Sequence, residues 1–393
     1  NVRRLDYITG ENRMKIIIGG DIIPTEKNMT YFENNDIGAL LDQELKNIWF
    51  NADFRIANLE TPITDEMKKN SKYGLHVKSS PKVMNGIRGL NFSILCCANN
   101  HILDYGVKGL EDTREYLDQY GIEYVGIGES DKDFYRYKTL TKENVKVGVY
   151  CCCDHEFSVA QSDASGAIAF DCYNTMKAIK KIKKTVDKLI VIYHSGIEFY
   201  QYPSPLLQRD CRAMVEFGAD IVVCQHGHCI ACEEKYMGSH IIYGQGHFIS
   251  NLSHDPNLLD ELLIEININQ GGMEVTYIPI SVKKNETLAL SCKQEAIRIL
   301  NEFNKRSIEI NEKNLQKIFD KFVETKSKNY ILSLRGSTVI DRIMAKIFKQ
   351  RYIEKIYSDS ESLIIWNYME SRVHNEIVKR IFELRRMKIK NED

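Results

Sequence analysis

The sequence predicts an α/β fold of four layers, helix–sheet–sheet–helix, followed by an all-helical C-terminal region. Three observations carry this expectation. Between Met14 and about residue 280, short β-rich runs alternate with helix-like or loop segments. Most of those runs are continuously apolar, as strands covered on both faces are, whereas a half-solvated strand alternates. After about Val282, apolar residues recur at helical spacing with charged residues in the gaps.

Taken in order, strands are expected at Lys15 to Gly19, Asp53 to Ala57, Phe92 to Cys97, Glu123 to Ile127, Lys146 to Cys152, Lys188 to Tyr193, Asp220 to Cys224, His240 to Tyr243, Glu261 to Ile268 and Glu274 to Ile280. Each is an apolar run of strand length bounded by turn formers or polar residues. Helices fit between them at Val107 to Tyr120, Tyr173 to Val186 and Pro205 to Phe217. The tail shows apolar triplets Ile297, Leu300, Phe303; then Ile318, Phe319, Phe322; then Ile340, Ile343, Ile347. The chain therefore divides into residues 1–13, a leader or expression-derived segment ahead of Met14; a catalytic-type α/β domain over 14–282; and a helical C-terminal domain over 283–393. Residues 283–393 hold 24 Lys and Arg against 16 Asp and Glu. That excess makes the tail a solvated helix surface or a docking face for a protein partner or an oligomer.

The whole chain of 393 residues balances 53 Lys and Arg against 54 Asp and Glu, so no global basic field draws it to nucleic acid. No apolar run approaches the ~18–20 residues of a membrane-spanning helix, and the N-terminus lacks a signal-peptide pattern. No membrane span is expected. Eleven cysteines, an odd number with several inside strand-like runs, read as reduced buried thiols, and the expected location is cytoplasmic.

Five segments concentrate metal-capable side chains at strand ends: Gly19-Gly20-Asp21, Ala57-Asn58-Leu59-Glu60, Ala98-Asn99-Asn100-His101, Tyr193-His194-Ser195-Gly196 and Gln225-His226-Gly227-His228. In layered α/β folds, ligands bind beyond the carboxyl ends of strands, where loops converge without disturbing the core. Carboxylate, amide oxygen and imidazole are the ligand set of divalent ions such as Mn, Fe or Zn. Any one such histidine is more often a hydrogen-bonded core residue; the coincidence of five segments points to metal. In His226-Gly227-His228 the glycine is expected to let the backbone turn tightly and aim both rings inward.

The order of these motifs, continued by Asp104-Tyr105-Gly106, Gly109-Leu110 with Asp112-Thr113, Gly196, Glu198, Pro203 and Gly218-Ala219-Asp220, resembles the CapA family. These are poly-γ-glutamate or capsule synthesis proteins with a calcineurin-like metallophosphoesterase fold. The resemblance covers roughly residues 14 to 280. It implies two divalent metal ions: Asp21 and His228 on the first, Glu60 bridging both, and Asn100, His194 and His226 on the second. His101 would stay off the metals and serve as general acid. Two such cations hold a bridging hydroxide and clamp the attacking and leaving oxygens of a displacement at phosphorus. Asp104, three residues after His101, either orients its ring or caps the following helix.

Two departures stand out. The wider superfamily places a His two residues after its first Asp, where this chain has Ile23, leaving the first metal one ligand short. Family members tend to read Gly-Asn-Phe where this chain has Gly246-His247-Phe248, so His247 is an extra ligand, a substrate contact or a plain loop residue. Glu198 follows His194 toward the substrate cleft or packs at the surface. The expected activity is metal-dependent hydrolysis of a phosphorylated or polyanionic small molecule or polymer. The alternatives are amide cleavage or transfer on a γ-glutamyl or capsule-type polymer, and a non-catalytic metal-binding subunit of a biosynthetic complex.

Overall fold

The computed structural model describes residues 13–72, 74–250, 260–269, 272–283, 285–310, 312–334, 339–348, 352 and 357–392. Nearly all of the leader segment expected over residues 1–13 lies outside them. Fifteen strands are seen among the described residues: β1 (Met14–Ile22), β2 (Phe54–Leu59), β3 (Ile94–Cys96), β4 (Tyr124–Val125), β5 (Ile127–Gly128), β6 (Tyr137–Lys142), β7 (Val145–Cys153), β8 (Gly166–Ala167), β9 (Lys188–His194), β10 (Ile221–Gln225), β11 (Glu233–Tyr236), β12 (Ser239–Ile242), β13 (Asp260–Asn269), β14 (Gly272–Val282) and β15 (Leu288–Leu290). Seven form one sheet in the order β15-β14-β13-β1-β2-β3-β4, and six form another in the order β11-β12-β10-β9-β7-β6. Strands β1 to β4 run parallel, as do β7, β9, β10 and β12. The carboxyl ends within each parallel set therefore gather at one edge.

The continuous apolar strands have the expected cause: both faces are buried. In β7, Val147, Val149, Cys151 and Cys153 enter the core that joins the two sheets, while Tyr150 and Cys152 face an outer core with α6 (Cys172–Lys183) and α7 (Pro205–Glu216). Strands β9 and β10 divide the same way, Ile190, Ile192, Ile221 and Val223 inward, Val191, Val222 and Cys224 outward. Each fully buried aliphatic side chain contributes about 1.5–3 kcal/mol. The first sheet's outer face is covered by α3 (Gln43–Phe50) and α5 (Gly106–Gln119), through Trp49, Leu110 and Leu117. Together these are the four expected layers. The cysteines follow the same burial: all eleven are free thiols and only Cys172 and Cys292 are exposed.

The structure adds what periodicity did not disclose. Strand β6 lies at a sheet edge and buries only Leu140, β11 is Glu-Glu-Lys-Tyr with no buried residue, and β15 follows a turn after Val282. The run expected over Glu123 to Ile127 breaks at Gly126, whose φ of +102° suits glycine and where a Cβ would lie 2.6 Å from the Ala98 amide nitrogen.

Past β15 come α8 (Lys293–Glu309), α9 (Glu312–Ser333), α10 (Val339–Phe348), α11 (Asp359–Glu370) and α12 (Arg372–Glu392). They are not a free appendage. Helix α8 packs Ile299 and Phe303 against Ile230 and Leu262, and buried Arg306 donates to the Ala231 and Ile230 carbonyls. Helices α9 and α12 share a core of Phe319, Val323, Tyr330, Val373, Ile377 and Ile381, against which Ile197 and Tyr200 of the loop after β9 pack. Arg372 binds Asp210 at 2.7 Å, and Glu376 accepts from the Leu206 amide at 2.8 Å. The apolar stripe of α10 behaves differently: Ile340, Ile343 and Ile347 are 70%, 53% and 62% exposed. Among the described residues no helix is long and apolar enough to cross a membrane.

Candidate metal centre

Strand β1 pairs with β2 in register as far as Ile18 opposite Ile56, then shifts so that Asp21 lies opposite Asn58. That irregularity is the device that re-aims the strand end. Gly20 is required there, since a Cβ would stand 2.2 Å from the Gly246 carbonyl oxygen. The close approach brings in the loop after β12: Asp21 bridges His247, and the Phe248 amide donates to the Asp21 carbonyl at 2.8 Å. Glu60 follows β2, the Asn99–His101 turn follows β3, His194 ends β9, and His226 and His228 follow β10.

These side chains converge. Asp21, Glu60, His228 and His247 form one group, and Glu60, His194 and His226 a second, with the potential ligand atoms in each within 4.8 Å of one another. Glu60 belongs to both. Asn100 Oδ1 lies 3.0 Å from His194 Nε2, which is itself 3.2 Å from Glu60 Oε1, so Asn100 stands beside the second group. Glu198, exposed at the mouth, forms a third group with His226 and His228. His247 stacks on His228 at 4.5 Å with rings 11° apart. Ile23, where the resemblance leaves the first metal one ligand short, is buried at 4% exposure.

The expectation for His226-Gly227-His228 needs correction at one point. The left-handed backbone falls on the histidines, with φ of +85° at His226 and +49° at His228, and Gly227 is not among the positive-φ residues. A Cβ on Gly227 would meet only ordinary contact at 3.7 Å. Non-glycine residues held in this region cost energy and cluster at functional sites.

Buried polar atoms stand unsatisfied here. Neither Glu60 oxygen makes a hydrogen bond, nor does His226 Nδ1, nor either ring nitrogen of His247. A carboxylate and lone-pair nitrogens with no proton partner, buried in one place, suit a cation, which satisfies them all at once. The electrostatics agree. Burial is the main influence pushing Glu60 well above the carboxylate range, with Asp21 and Glu198 adding to it. Burial would raise Asp21 too, but contact with His228 and the charges of His194, His228 and His247 outweigh it and hold the group low. Burial drives His226 down to about 4 and His247 to about 3, and keeps His194 well below its ordinary value. Charged only in acid, these rings are neutral near pH 7, the form that binds metal.

Beside the groups, His101 Nδ1 lies 2.8 Å from Asp104 Oδ2 and 3.2 Å from Lys72 Nζ, and Lys72 pairs with Asp104. Asp104 also accepts from the Val77 amide at 2.7 Å. Helix α5 starts at Gly106 with no side-chain cap, so of its two expected places Asp104 takes the one against His101. Two asparagines in the quoted motifs had no role assigned. Asn58 donates to Asp21 Oδ1 at 2.7 Å and to His194 Nδ1 at 3.2 Å, and Asn99 donates to the Leu59 carbonyl at 2.8 Å and accepts from the His101 amide at 3.1 Å. Lys72 carried no sequence signal at all.

Residues 15–252 match the family described as bacterial capsule synthesis protein PGA_cap. The chain belongs to this family. Among its relatives, the capsule biosynthesis protein CapA of Bacillus anthracis is 26% identical over 265 residues, 65% of this chain and 64% of that protein. The PGA biosynthesis protein CapA of Bacillus subtilis (strain 168) is 28% identical over 269 residues, 65% of this chain and 69% of that one. This chain thus spans just under two thirds of the first relative's length. Solved structures with a similar course include a putative 5'-nucleotidase from Staphylococcus aureus, 15% identical over 75% of this chain and 58% of that one, with a TM-score of 0.44. A phosphatase from Mycoplasma pneumoniae is 14% identical over 69% and 95%, with a TM-score of 0.42. The PGA_cap match ends at residue 252, so the helices of the C-terminal region lie outside it.

Those helices nevertheless wall the centre. A cavity of about 610 Å³ opens over His101, His226 and His228, and its far side is Phe322, Lys326 and Tyr330 of α9, Asn367 and Tyr368 of α11, and Val373 and His374 of α12.

Proposed function

We propose that this chain is a divalent-metal-dependent hydrolase of phosphoesters. The observation that carries the proposal is Glu60, a buried carboxylate without a hydrogen bond, common to two groups of imidazoles and carboxylates. Asp21, His228 and His247 with Glu60 would hold one ion, and His194, His226 and Asn100 with Glu60 the other. His247 then stands in for the imidazole that Ile23 does not supply. Two divalent ions, when bound, supply the positive field that activates water and neutralises phosphoryl charge.

The chain's own residues do the rest. His101 turns Nδ1 to Asp104, which leaves Nε2 as the nitrogen that delivers a proton to the departing alkoxide. Asp104 holds the ring's orientation and favours its charged form against burial, which lowers His101. Lys72 balances the Asp104 charge. A cavity of about 610 Å³ is the size of a small-molecule site, and its helical far wall favours a compact ester over an extended polymer. The second reading, amide cleavage on a γ-glutamyl polymer, is favoured by the relatives' names, which place them in capsule and PGA biosynthesis.

The test is metal content by elemental analysis beside hydrolysis of p-nitrophenyl phosphate, in the wild type and in His101→Ala. About two ions per chain in both proteins, with kcat in the variant down by ~10²–10⁴ as loss of a general acid produces, is the expected result. A chain that takes up no Mn, Fe or Zn would overturn the proposal.

A further inference from the structure

The cavity has two unlike halves. On the strand-end side it is lined by His101, His226 and His228, with Glu198 grouped beside the two histidines. The rest of its lining carries Glu156, aromatic rings including Phe157 and Tyr368, and the polar side chains of Asn367 and His374. Asn367 is the informative one. It is 6% exposed, and its Oδ1 has no hydrogen-bond partner. A buried amide oxygen without a donor, on a residue that lines the cavity, costs stability unless something donates to it. His374 is held by Tyr330, whose hydroxyl lies 2.6 Å from Nδ1, and that contact leaves Nε2 as the ring's second hydrogen-bonding position.

We infer that the C-terminal helices read the leaving group, that Asn367 and His374 are specificity-determining residues, and that the substrate is the phosphate ester of a polyhydroxylated, sugar-like alcohol. This rests on the phosphoester reading above. An amide oxygen, an imidazole and two carboxylates are acceptors for several hydroxyl donors at once, and the aromatic rings offer flat surface to the C–H faces of a sugar. Glu198 also repels a second anionic group. An oligomer of γ-glutamyl units, with one carboxylate per unit, would meet Glu198 on its way in, with Lys326, among the described residues, the one lysine of the lining outside the Asp104 pair. A simple alkyl or aryl ester would leave Asn367 Oδ1 unpaired.

The experiment uses the full chain loaded with manganese. It compares kcat/KM for glucose 6-phosphate with that for p-nitrophenyl phosphate, and measures binding of glucose 6-phosphate and of inorganic phosphate by calorimetry, in the wild type, Asn367→Ala and His374→Gln. Each variant is expected to lower the ratio of glucose 6-phosphate to p-nitrophenyl phosphate kcat/KM by about tenfold, as loss of one hydrogen bond to a polar substrate does. An unchanged ratio in both variants overturns the inference while leaving the hydrolase reading intact. If the wild type turns over neither ester, the hydrolase reading fails by itself. The inference then stands if glucose 6-phosphate binds and both variants weaken it about tenfold more than inorganic phosphate, and falls if it does not bind.

Discussion

The floor and the roof of the cavity are built on opposite principles. The floor comes from loops at the ends of the parallel strands of two mixed sheets, where the backbone is pinned by the ladders and bent only at its tips: the shift after Ile18 and the left-handed His226 and His228. Its polar atoms are buried and left without protein partners, which is unfavourable for a fold and suited to an ion. The roof comes from helices whose polar groups mostly satisfy one another, Arg380 with Asp320 at 2.7 and 2.8 Å being an instance. The difference teaches that chemistry and selection are separable here. Strand ends hold groups that must be rigid to a fraction of an ångström, and helices docked from one side line the rest of the cavity.

The comparison breaks first, and by the largest margin, at Glu60. If the floor is one unit organised by a shared carboxylate, Glu60→Gln removes both ions together, and hydrolysis falls on the order of 10³-fold or more because several kcal/mol of charge stabilisation is lost. Elemental analysis reads this directly. A variant that keeps one ion at full occupancy would show two independent sites and refute the bridging role. The roof is not touched by this substitution, so urea unfolding should report α9 and α12 docked as before.

How far each half was legible in the sequence follows from the same contrast. Asp21, Glu60, Asn100, His101, His194, His226 and His228 were readable because each sits in a short motif at the end of an apolar run, so local text carries spatial information. His247 was half legible: the departure at Gly246-His247-Phe248 was visible, but its partner group was not, because the loop after β12 reaches Asp21 only through sheet pairing. Lys72 and the roof were not legible. Lys326, Asn367 and His374 are spread over about fifty residues on three helices, and no spacing rule says which helical face meets a cavity made by another part of the chain. The edge strands β6 and β11 were missed for a simpler reason, since an edge strand exposes one face and loses the apolar continuity that marked the others.

The roof's attachment supplies the next two effects. Arg372 holds Asp210 at 2.7 Å and lies over the Phe170 ring at 4.5 Å. Removing it in Arg372→Ala leaves buried Asp210 without its main partner, a loss expected to cost about 3 kcal/mol in urea unfolding. Metal content should stay at the wild-type level, which would confirm that floor and roof are independent; joint loss of both would contradict it. A smaller effect belongs to Glu376, whose carboxyl burial pushes up to about 7 from an ordinary 4.5. Between those two values the folded chain binds more protons than the unfolded one, so this group's contribution is complete below about pH 4.5 and is lost as the pH rises through 7. Glu376→Gln keeps an acceptor for the Leu206 amide and removes the titration. It should therefore flatten the fall in melting temperature between pH 5 and 8, by about 1 kcal/mol at the upper end once partial exposure is allowed for. A curve of unchanged slope would refute the assignment.

The smallest expected effect tests where the roof ends. Ile340, Ile343 and Ile347 follow the same helical spacing as the triplets of α8 and α9, which bury Phe303 and Phe319 while leaving Ile297 51% exposed, and sequence alone gives no reason to treat them differently. In the folded chain they are more than half exposed, whereas Phe303, Phe319 and Val323 are 0–1% exposed. Periodicity states that a helix has an apolar face; only packing states whether that face is covered. Ile343→Lys on α10 should therefore change unfolding free energy by no more than about 0.5 kcal/mol, as surface substitutions do. Phe319→Ala, with the same kind of pattern position but inside the core shared by α9 and α12, should cost about 3–5 kcal/mol. Measured side by side in urea, a ratio near unity would mean that α10 is part of the packed roof after all, and the boundary drawn here between the helices that wall the cavity and the one that does not would have to move.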